Sequence, residues 1–255
     1  LSYLADLCAS RIYLMKETSQ DPAIRDTGTA LIKQFQDWAV GLDYREDVYG
    51  SIKAYSDSKP VLSGEDQKLF EEILRDYRRA GLALPQDERK EVERLRKELS
   101  SLSTDFDANI TKARKTLTFT RKQLKGVPES FLEMDGIQTG EDAFSVQANV
   151  TWHFINIMEN AVSEQTRKTM KQARYRLAGE ENVALLQSIL ELRTDIAHRL
   201  GYATWADYQT EVKMAGKGET ALQFLKDLKT GLQPKFDEEI RRYRALKAEE
   251  TGDPD

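Results

Sequence analysis

The chain has 255 residues, of which 32% are charged, with 43 acidic and 38 basic side chains and a net charge of -5. The two signs are interspersed along the sequence, whereas a protein that binds nucleic acid needs a basic stripe for the phosphates, so the composition argues against nucleic-acid binding. No apolar run approaches the roughly 18 residues that a membrane-spanning helix requires, which argues against a membrane protein.

The cysteine content and the two ends of the sequence carry further expectations. Cys8 is the single cysteine and has no partner for an internal disulfide, which favours a reducing compartment. The sequence begins at Leu1, without Met and already within an amphipathic pattern, and it closes with the turn-forming residues 251–255. We therefore expect a segment of a longer polypeptide.

Glycine and proline divide the sequence into pieces of helical length. Between most of these breaks, apolar residues recur every three or four positions, which predicts amphipathic helices and a mostly α fold. We expect one multi-helix lobe over residues 1–255, loosely divided into a long-helix section (1–125), a hairpin (126–150) and a second helical section (151–255). The predicted breaks fall at Gly41, 60–64, 81–85, 126–128, 136–140, Gly179, Gly201, 216–218, 231–234 and 252–254.

The longest apolar repeat runs from Val92 to Leu117, with spacings of three and four residues. It predicts one helix over about residues 86–117, on the order of 45 Å long at a rise of about 1.5 Å per residue. The seam resembles a coiled coil, but heptads do not continue elsewhere. A long core helix packed against an antiparallel neighbour, such as the helix predicted from Gly64 to Ala80, is the preferred interpretation.

One stretch departs from the helical pattern. Residues 130–150 contain two short alternating apolar runs around Gly136 and Gly140, which predict a small β-hairpin. Helices resume near Trp152. The hairpin is too short to found a sheet-based fold, so the mostly α prediction stands.

The run "LRTDIAHRLGYATWADY" (192–208) is typical of a helix that ends, turns sharply and starts again. Gly201 suits a left-handed residue at the helix end, and Tyr202 is expected to fold back near Ile196 and Ala197. Thr204 can cap the next helix, with Asp207 as an acidic variant of the capping box. Trp205 is most simply an aromatic residue packed into the corner.

Metal chemistry has little support in the sequence. Catalytic zinc needs about three protein ligands, commonly including two histidines one helical turn apart in His-Glu-x-x-His. His153 and His198 are the only histidines, and neither has a second histidine within a turn. Asp195 precedes His198 by one turn and could pair with it, but the two fall short of a zinc site. We interpret His198 as an exposed residue near a helix C-terminus, and we predict no metal ligand in this chain.

Other catalytic motifs are missing too. The sequence has no Cys-x-x-Cys, no glycine-rich phosphate loop and no Gly-x-Ser-x-Gly elbow, and Gly216 and Gly218 are interpreted as a turn before a helix. Adjacent carboxylates are interpreted as solvated helix faces. These pairs are Glu71-Glu72, Glu238-Glu239 and Glu249-Glu250. The residues alone therefore predict no catalytic residue here, and they identify no substrate-binding residue.

Several stretches, in their order and spacing, carry a family resemblance over nearly the whole chain. The quoted runs are "GLALPQDERKEVERLRKELSSLSTDFDANI" (81–110), "GVPESFL" (126–132), "SEQTRKTMKQARYR" (163–176), "ENVALLQSILELRTDIAHRLGYATWADYQTEVKMA" (181–215) and "ALQFLKDLKTGLQP" (221–234). Together they resemble the thimet oligopeptidase, neurolysin and saccharolysin family of zinc metallopeptidases. The usual tyrosine-proline pair of that family near Val150 is replaced by Thr151-Trp152-His153.

The resemblance implies a helical protein with two lobes around a deep, narrow channel that admits short peptides. It implies zinc held by the two histidines of His-Glu-x-x-His and a further glutamate, with the glutamate of the motif as general base. Those residues lie in the later part of the family sequence, beyond this chain, so no catalytic or metal residue is carried over to any position here.

The combined expectation is a non-catalytic lobe that forms a channel wall and is inactive alone. Its partners would be short peptides and the missing C-terminal catalytic part, in a monomeric parent located in the cytoplasm or, alternatively, the mitochondrion. The alternative function is a truncated, non-catalytic helical scaffold that binds peptides or proteins.

Overall fold

A computed structural model describes residues 2–253, and the expectations that rest on Leu1, Pro254 and Asp255 lie outside the described residues. The described part is mostly α-helical and carries a small antiparallel sheet, as predicted. Its helices are α1 (Ser2–Thr18), α2 (Pro22–Asp43), α3 (Glu46–Asp57), α4 (Gly64–Ala80), α5 (Gln86–Lys112), α6 (Glu129–Leu132), α7 (Thr151–Asn160), α8 (Glu164–Tyr175), α9 (Gly179–Arg199), α10 (Trp205–Thr210) and α11 (Gly218–Thr251). Its strands are β1 (Thr116–Phe119), β2 (Gln138–Gly140) and β3 (Ala143–Gln147).

The backbone contacts divide into two compact units, one up to Leu192 and one from Arg193 onward. Helix α9 contributes residues to both. In the described residues, no helix combines the length and the apolar character that crossing a bilayer requires. The expected single lobe over residues 1–255 stays a prediction.

Helix α5 is shorter than the apolar repeat predicted. It ends at Lys112, and Leu117 lies in strand β1. Strand β1 pairs antiparallel with β3, placing Leu117 opposite Val146 and Phe119 opposite Phe144. Cross-strand pairing therefore overrides the helical spacing. The four-residue step from Ala113 to Leu117 does not decide between the two, since residues four apart share a face in a helix and also in a strand.

The main neighbour of α5 is α2, not the helix predicted from Gly64 to Ala80. Ile32 of α2 and Val92 of α5 are completely buried. Polar pairs join the two helices along their length. In order along α2, these are Asp26–Lys112, Lys33–Asp105, Gln36–Ser100 and Asp43–Arg96, at 3.0, 2.6, 3.0 and 3.4 Å. The order is reversed on α5, so the two helices are antiparallel, which is the arrangement predicted with a different partner.

The predicted hairpin is present as strands β2 and β3, but β1 adds a third strand that was not predicted. The strand order is β1-β3-β2, and the β2–β3 register shifts between Gln138 and Gly140. One face of the sheet packs with the following helices into the largest core. Its buried members are Phe119, Leu124, Val127, Phe131, Leu132, Ile137, Phe144, Val146, Ala148, Ile157, Ala161 and Met170.

Two backbone features fix the segments around this core. Gly126 has φ +96°, and a Cβ placed there would lie 2.4 Å from the carbonyl oxygen of Asn160, at the end of α7. Next to it, the Val162 N–H donates to the Lys125 carbonyl at 2.8 Å. The turn at 125–127 therefore lies directly against the end of α7, and only glycine fits there.

The start of α9 is tied to the end of α5 by a buried amide. Asn182, 6% exposed, accepts a hydrogen bond from Asn109 at 2.9 Å and donates to the Phe106 carbonyl at 3.0 Å. Ala178, just before α9, has φ +53°, a left-handed conformation that costs a non-glycine residue about 1–2 kcal/mol. The asparagine contacts satisfy both the oxygen and the nitrogen of one buried side chain.

Helix α11 runs without interruption from Gly218 to Thr251, through the break predicted at 231–234. Pro234 lies inside the helix. A proline removes one intrahelical hydrogen bond but leaves the turns on either side bonded, so it need not end a helix. The break prediction was therefore wrong, and the two pieces form one 34-residue element.

Candidate functional site

The helix corner in the second unit, residues 193–218, brings together the helix end, the helix cap and the aromatic residue that the sequence predicted. Gly201 has φ +82°, its N–H donates to the His198 carbonyl at 3.0 Å, and the Tyr202 N–H donates to the Ala197 carbonyl at 2.9 Å. This pair of bonds is the Schellman ending of a helix. The predicted termination of α9 at Gly201, with Tyr202 folding back, is confirmed.

The next helix is capped as the sequence indicated. Thr204 accepts a hydrogen bond from the Asp207 N–H at 3.0 Å and donates its hydroxyl to the Asp207 carboxylate at 2.7 Å. The other carboxylate oxygen of Asp207 accepts the Gly218 N–H at 3.0 Å, at the start of α11. These hydrogen bonds, the Thr204 one foremost, hold the pKa of Asp207 below its ordinary 3.8. One carboxylate therefore joins the first turns of α10 and α11.

Aromatic rings fill this corner. The Tyr208 side chain is buried, with the rings of Tyr202 and Trp205 at centroid distances of 5.2 and 5.0 Å. The guanidinium of Arg193 lies 5.8 Å from the Trp205 ring, and the Tyr202 hydroxyl donates to Glu211 at 2.5 Å. Trp205 thus has the packing position that its place in the sequence predicted. Caps and aromatic packing together hold the first turns of α10 and α11 at this corner.

His198 and Asp195 each contact a different partner and do not form a metal-binding pair. The exposed His198 ring faces the Ala203 carbonyl, with Nε2 at 3.1 Å. Asp195 forms an ion pair with Arg199, Nε to Oδ1 at 2.8 Å. His198 is therefore an exposed residue in the last turn of its helix, as interpreted from the sequence.

His153 lies on α7 in the first unit and has a structural hydrogen bond. Its Nδ1 accepts the Gln147 N–H at 3.0 Å, at the end of strand β3, and its ring meets Phe131 edge-on with centroids 5.5 Å apart. Burial lowers the pKa of His153 below its ordinary 6.5. The neutral ring is the form that accepts this hydrogen bond, since a protonated Nδ1 would be a donor.

The metal-donor side chains of residues 2–253 are not grouped as a zinc site. Within residues 2–253, no three histidine, cysteine, aspartate or glutamate side chains come together as a metal-binding group. The Nδ1 lone pair of His153 is engaged by a backbone N–H, and Cys8 is exposed on α1. Catalytic zinc takes about three protein ligands, so the side chains of residues 2–253 do not provide a site for it.

Two of the three adjacent carboxylate pairs, Glu71-Glu72 and Glu238-Glu239, have local partners on helix surfaces. Glu71 accepts a hydrogen bond from Gln67 at 2.9 Å, and Glu72 forms an ion pair with Lys68 at 3.4 Å. Glu238 pairs with Lys235 at 3.4 Å. These are side-chain pairs three or four residues apart on one helix face, which contribute only a few tenths of a kcal/mol each.

Besides strand β1 and the neighbour of α5, sequence reasoning missed three features of the structure. The hydrogen bond that the Asp207 carboxylate accepts from the Gly218 N–H, and the bonds of Asn182 to Asn109 and Phe106, depend on tertiary placement and leave no local signal in the sequence. The third feature did leave one: apolar residues continue at helical spacing through Gly231 and Pro234, which indicates a single helix α11. Giving that spacing more weight than the two breaker residues would have found it.

The comparisons with known proteins assign a class to this helical scaffold. Residues 157–255, which include the corner and all of α11, match Peptidase family M3. Saccharolysin of Saccharomyces cerevisiae is 30% identical over 250 residues, covering 95% of this chain and 35% of that protein. The chain therefore belongs to the thimet oligopeptidase family of metallopeptidases, which is the family that its sequence resembles.

Other relatives show the same partial coverage. A probable thimet oligopeptidase of Arabidopsis thaliana is 29% identical, and the match covers 98% of this chain and 36% of that protein. Oligopeptidase A of Escherichia coli is 22% identical, and the match covers 93% of this chain and 37% of that protein. The chain thus spans about a third of the length of the curated relatives it matches.

Proposed function

We propose that this chain is a non-catalytic lobe of a zinc-dependent oligopeptidase that hydrolyses short peptides inside a narrow channel. In this proposal the chain forms a wall of the channel, holds no zinc and contains no catalytic residue. The observation that carries the proposal is the alignment of 95% of this chain with only 35% of saccharolysin. A relative of nearly three times the length leaves room for the metal site in sequence that has no counterpart here.

The wall would act by exclusion and orientation. Helices α10 and α11 meet at the corner, where caps and aromatic packing hold their first turns. Fixed walls contribute to catalysis by holding a substrate in a productive geometry, without taking part in bond breaking. Short peptides as substrates, a monomeric parent and a cytoplasmic or, alternatively, mitochondrial location belong to the same proposal.

The first test uses the 255-residue chain by itself. Zinc content is measured by plasma mass spectrometry, and activity is measured with a quenched-fluorescent peptide of about ten residues. We expect no stoichiometric zinc and no cleavage. One zinc per chain together with peptidase activity would overturn the proposal.

The second test restores the missing part. A chimera places this chain in front of the portion of saccharolysin that lies beyond the aligned region. We expect the chimera to cleave the short peptide but not the same sequence embedded in a folded domain. A matched control replaces the glutamate of the His-Glu-x-x-His motif in the saccharolysin part with glutamine, and we expect it to be inactive. Equal cleavage of both substrates would contradict the channel-wall role.

A peptide-binding scaffold is the second candidate function, and the apolar surface of α11 favours it. Leu222, Phe224 and Leu225 are each more than half exposed. A scaffold would bind short peptides without any further polypeptide. Fluorescence anisotropy of labelled peptides with the 255-residue chain separates the two functions, because a channel wall alone encloses nothing and should bind them weakly.

A further inference from the structure

Helix α11 carries a continuous apolar face that its own unit does not cover. Seven residues, spaced 3, 4, 4, 4, 3 and 3 apart, form a band that we name the α11 stripe: Leu225, Leu228, Leu232, Phe236, Ile240, Tyr243 and Leu246. All except Ile240 are between 46% and 66% exposed, and no residue of α11 is buried. At about 1.5 Å per residue the stripe is about 32 Å long.

Such a stripe is the face that a helix normally buries against a neighbour. Apolar residues every three or four positions along a helix pack against a second helix or a core, and large exposed apolar patches mark interaction surfaces. Within the second unit, α11 packs against α10 near Gly218, at the end that the Asp207 carboxylate anchors. The stripe itself begins two turns further along, where it is exposed.

The charges beside the stripe indicate the chemistry of its partner. At 100° per residue, one edge of the stripe carries Lys226 and Lys229 near its start and Arg244 and Lys247 near its end, with Asp237 between the two pairs. The other edge carries both signs, with Lys235 3.9 Å from Glu239. A partner helix that presents carboxylates to the basic edge would complement it.

A second copy of this chain is a poorer match. Two antiparallel copies of α11 related by a two-fold axis place like edges together, so the basic edge would face itself. Two parallel copies place the basic edge against the mixed edge, where no row of carboxylates lies opposite Lys226 and Lys229. Like charges across a helix pair oppose association.

The family match adds the second argument. It runs over residues 157–255 and so includes the whole stripe, while about two thirds of saccharolysin has no counterpart in this chain. We propose that the α11 stripe is the docking surface for an amphipathic helix from that further part of the family polypeptide, with apolar residues at helical spacing and carboxylates facing Lys226 and Lys229. This inference rests on the proposed function, since it requires the chain to be one part of a larger peptidase.

A matched pair of variants isolates the stripe. The stripe variant carries Leu232→Glu and Phe236→Glu. The control variant carries Thr230→Glu and Ala245→Glu, which make the same change in charge on the opposite, solvent-exposed face. Because none of these four positions is buried, both variants should keep the melting temperature of the unaltered 255-residue chain.

The main measurement is hydrogen exchange of the amides at 225–246, compared between the 255-residue chain and the chimera with the saccharolysin part. We expect exchange to be at least tenfold slower in the chimera. The stripe variant should abolish this slowing and lower the melting temperature of the chimera, whereas the control variant should do neither. Equal exchange rates in chain and chimera, or equal behaviour of the two variants, would overturn the docking proposal.

Two further outcomes separate this inference from the proposed function. Peptide cleavage by the chimera with no change in α11 exchange would refute the docking surface and leave the proposed function standing. Slowed exchange without cleavage would support docking and count against the peptidase role. Sedimentation velocity of the 255-residue chain at about 5 µM tests the second copy: a stable dimer that the stripe variant dissociates would assign the stripe to self-association and overturn the proposal.

Discussion

The close approach of the turn at Gly126 to the end of α7 makes a strong prediction about stability. In Gly126→Ala, the new Cβ would lie 2.4 Å from the Asn160 carbonyl oxygen and 3.0 Å from Cγ2 of Val162. An ordinary contact needs about 3.4 Å, so the backbone of one segment must move by about 1 Å. The left-handed φ adds strain that the glycine does not feel.

The magnitude follows from three contributions. A left-handed alanine costs about 1–2 kcal/mol, forced overpacking costs about 1–3 kcal/mol, and weakening of the Val162–Lys125 backbone bond costs about 1 kcal/mol. We expect Gly126→Ala to lower the free energy of unfolding of the first unit by roughly 3–6 kcal/mol. That is large enough to unfold a marginally stable unit.

Two other glycines provide matched controls. Gly136 has φ +79° with open space around it, so Gly136→Ala should cost only the strain of about 1–2 kcal/mol. Gly50 lies in α3 with open space and no such conformation, so Gly50→Ala should stabilise by about 0.5–1 kcal/mol. Urea unfolding measures the free energy of unfolding of all three variants. Hydrogen exchange of the core amides at 144–157 then shows whether the loss falls in the first unit. If Gly126→Ala lowers the free energy of unfolding no more than Gly136→Ala does, the turn at 125–127 does not pack closely against the end of α7.

Three further predictions follow from buried or strained groups. Because burial lowers the pKa of His153 in the folded chain, the unfolded chain binds the proton more readily. The free energy of unfolding should therefore be full above pH 6.5 and fall as the pH drops below it. His153→Gln should remove this pH dependence, and His198→Gln, at an exposed position, should leave it in place. Asn182→Ala removes two hydrogen bonds made by one buried amide and should cost about 1–3 kcal/mol by urea titration. The control Gln187→Ala, at an exposed position on the same helix, should cost less than about 0.5 kcal/mol, and equal losses would reject the bridge. Ala178→Gly relieves a left-handed alanine and should raise the urea midpoint, and a lowered midpoint would argue against that conformation.

The helix corner shows what local sequence can predict. Gly201 ends α9 and Thr204 caps α10 in the positions expected, because each depends on hydrogen bonds made within a few residues. The absence of a zinc-binding motif at His153 and His198 was also evident from the sequence, since such a histidine pair has a fixed spacing. The assignment of no catalytic and no metal residue to this chain stays a prediction for activity measurements.

Strand β1 and helix α11 show where local sequence patterns mislead. The spacing of Ile110, Ala113 and Leu117 fits a helix, yet Leu117 lies in strand β1 and pairs with β3. Gly231 and Pro234 favour a break, yet the turns around them stay helical. For β1 the stabilising interactions are hydrogen bonds to a distant strand, and for α11 they are the helical turns on both sides of the proline. A short window of sequence contains neither.

The sequence by itself determined the helical class and the positions of most helix ends, because periodicity, caps and turn residues act over a few positions. The family was recognised in a different way, from the resemblance of the quoted runs in their order and spacing. Only the tertiary structure decided that α5 lies on α2, that Asp207 links two helices and that the α11 stripe is exposed. Such contacts join residues distant along the chain, and their geometry depends on the packing of several elements at once.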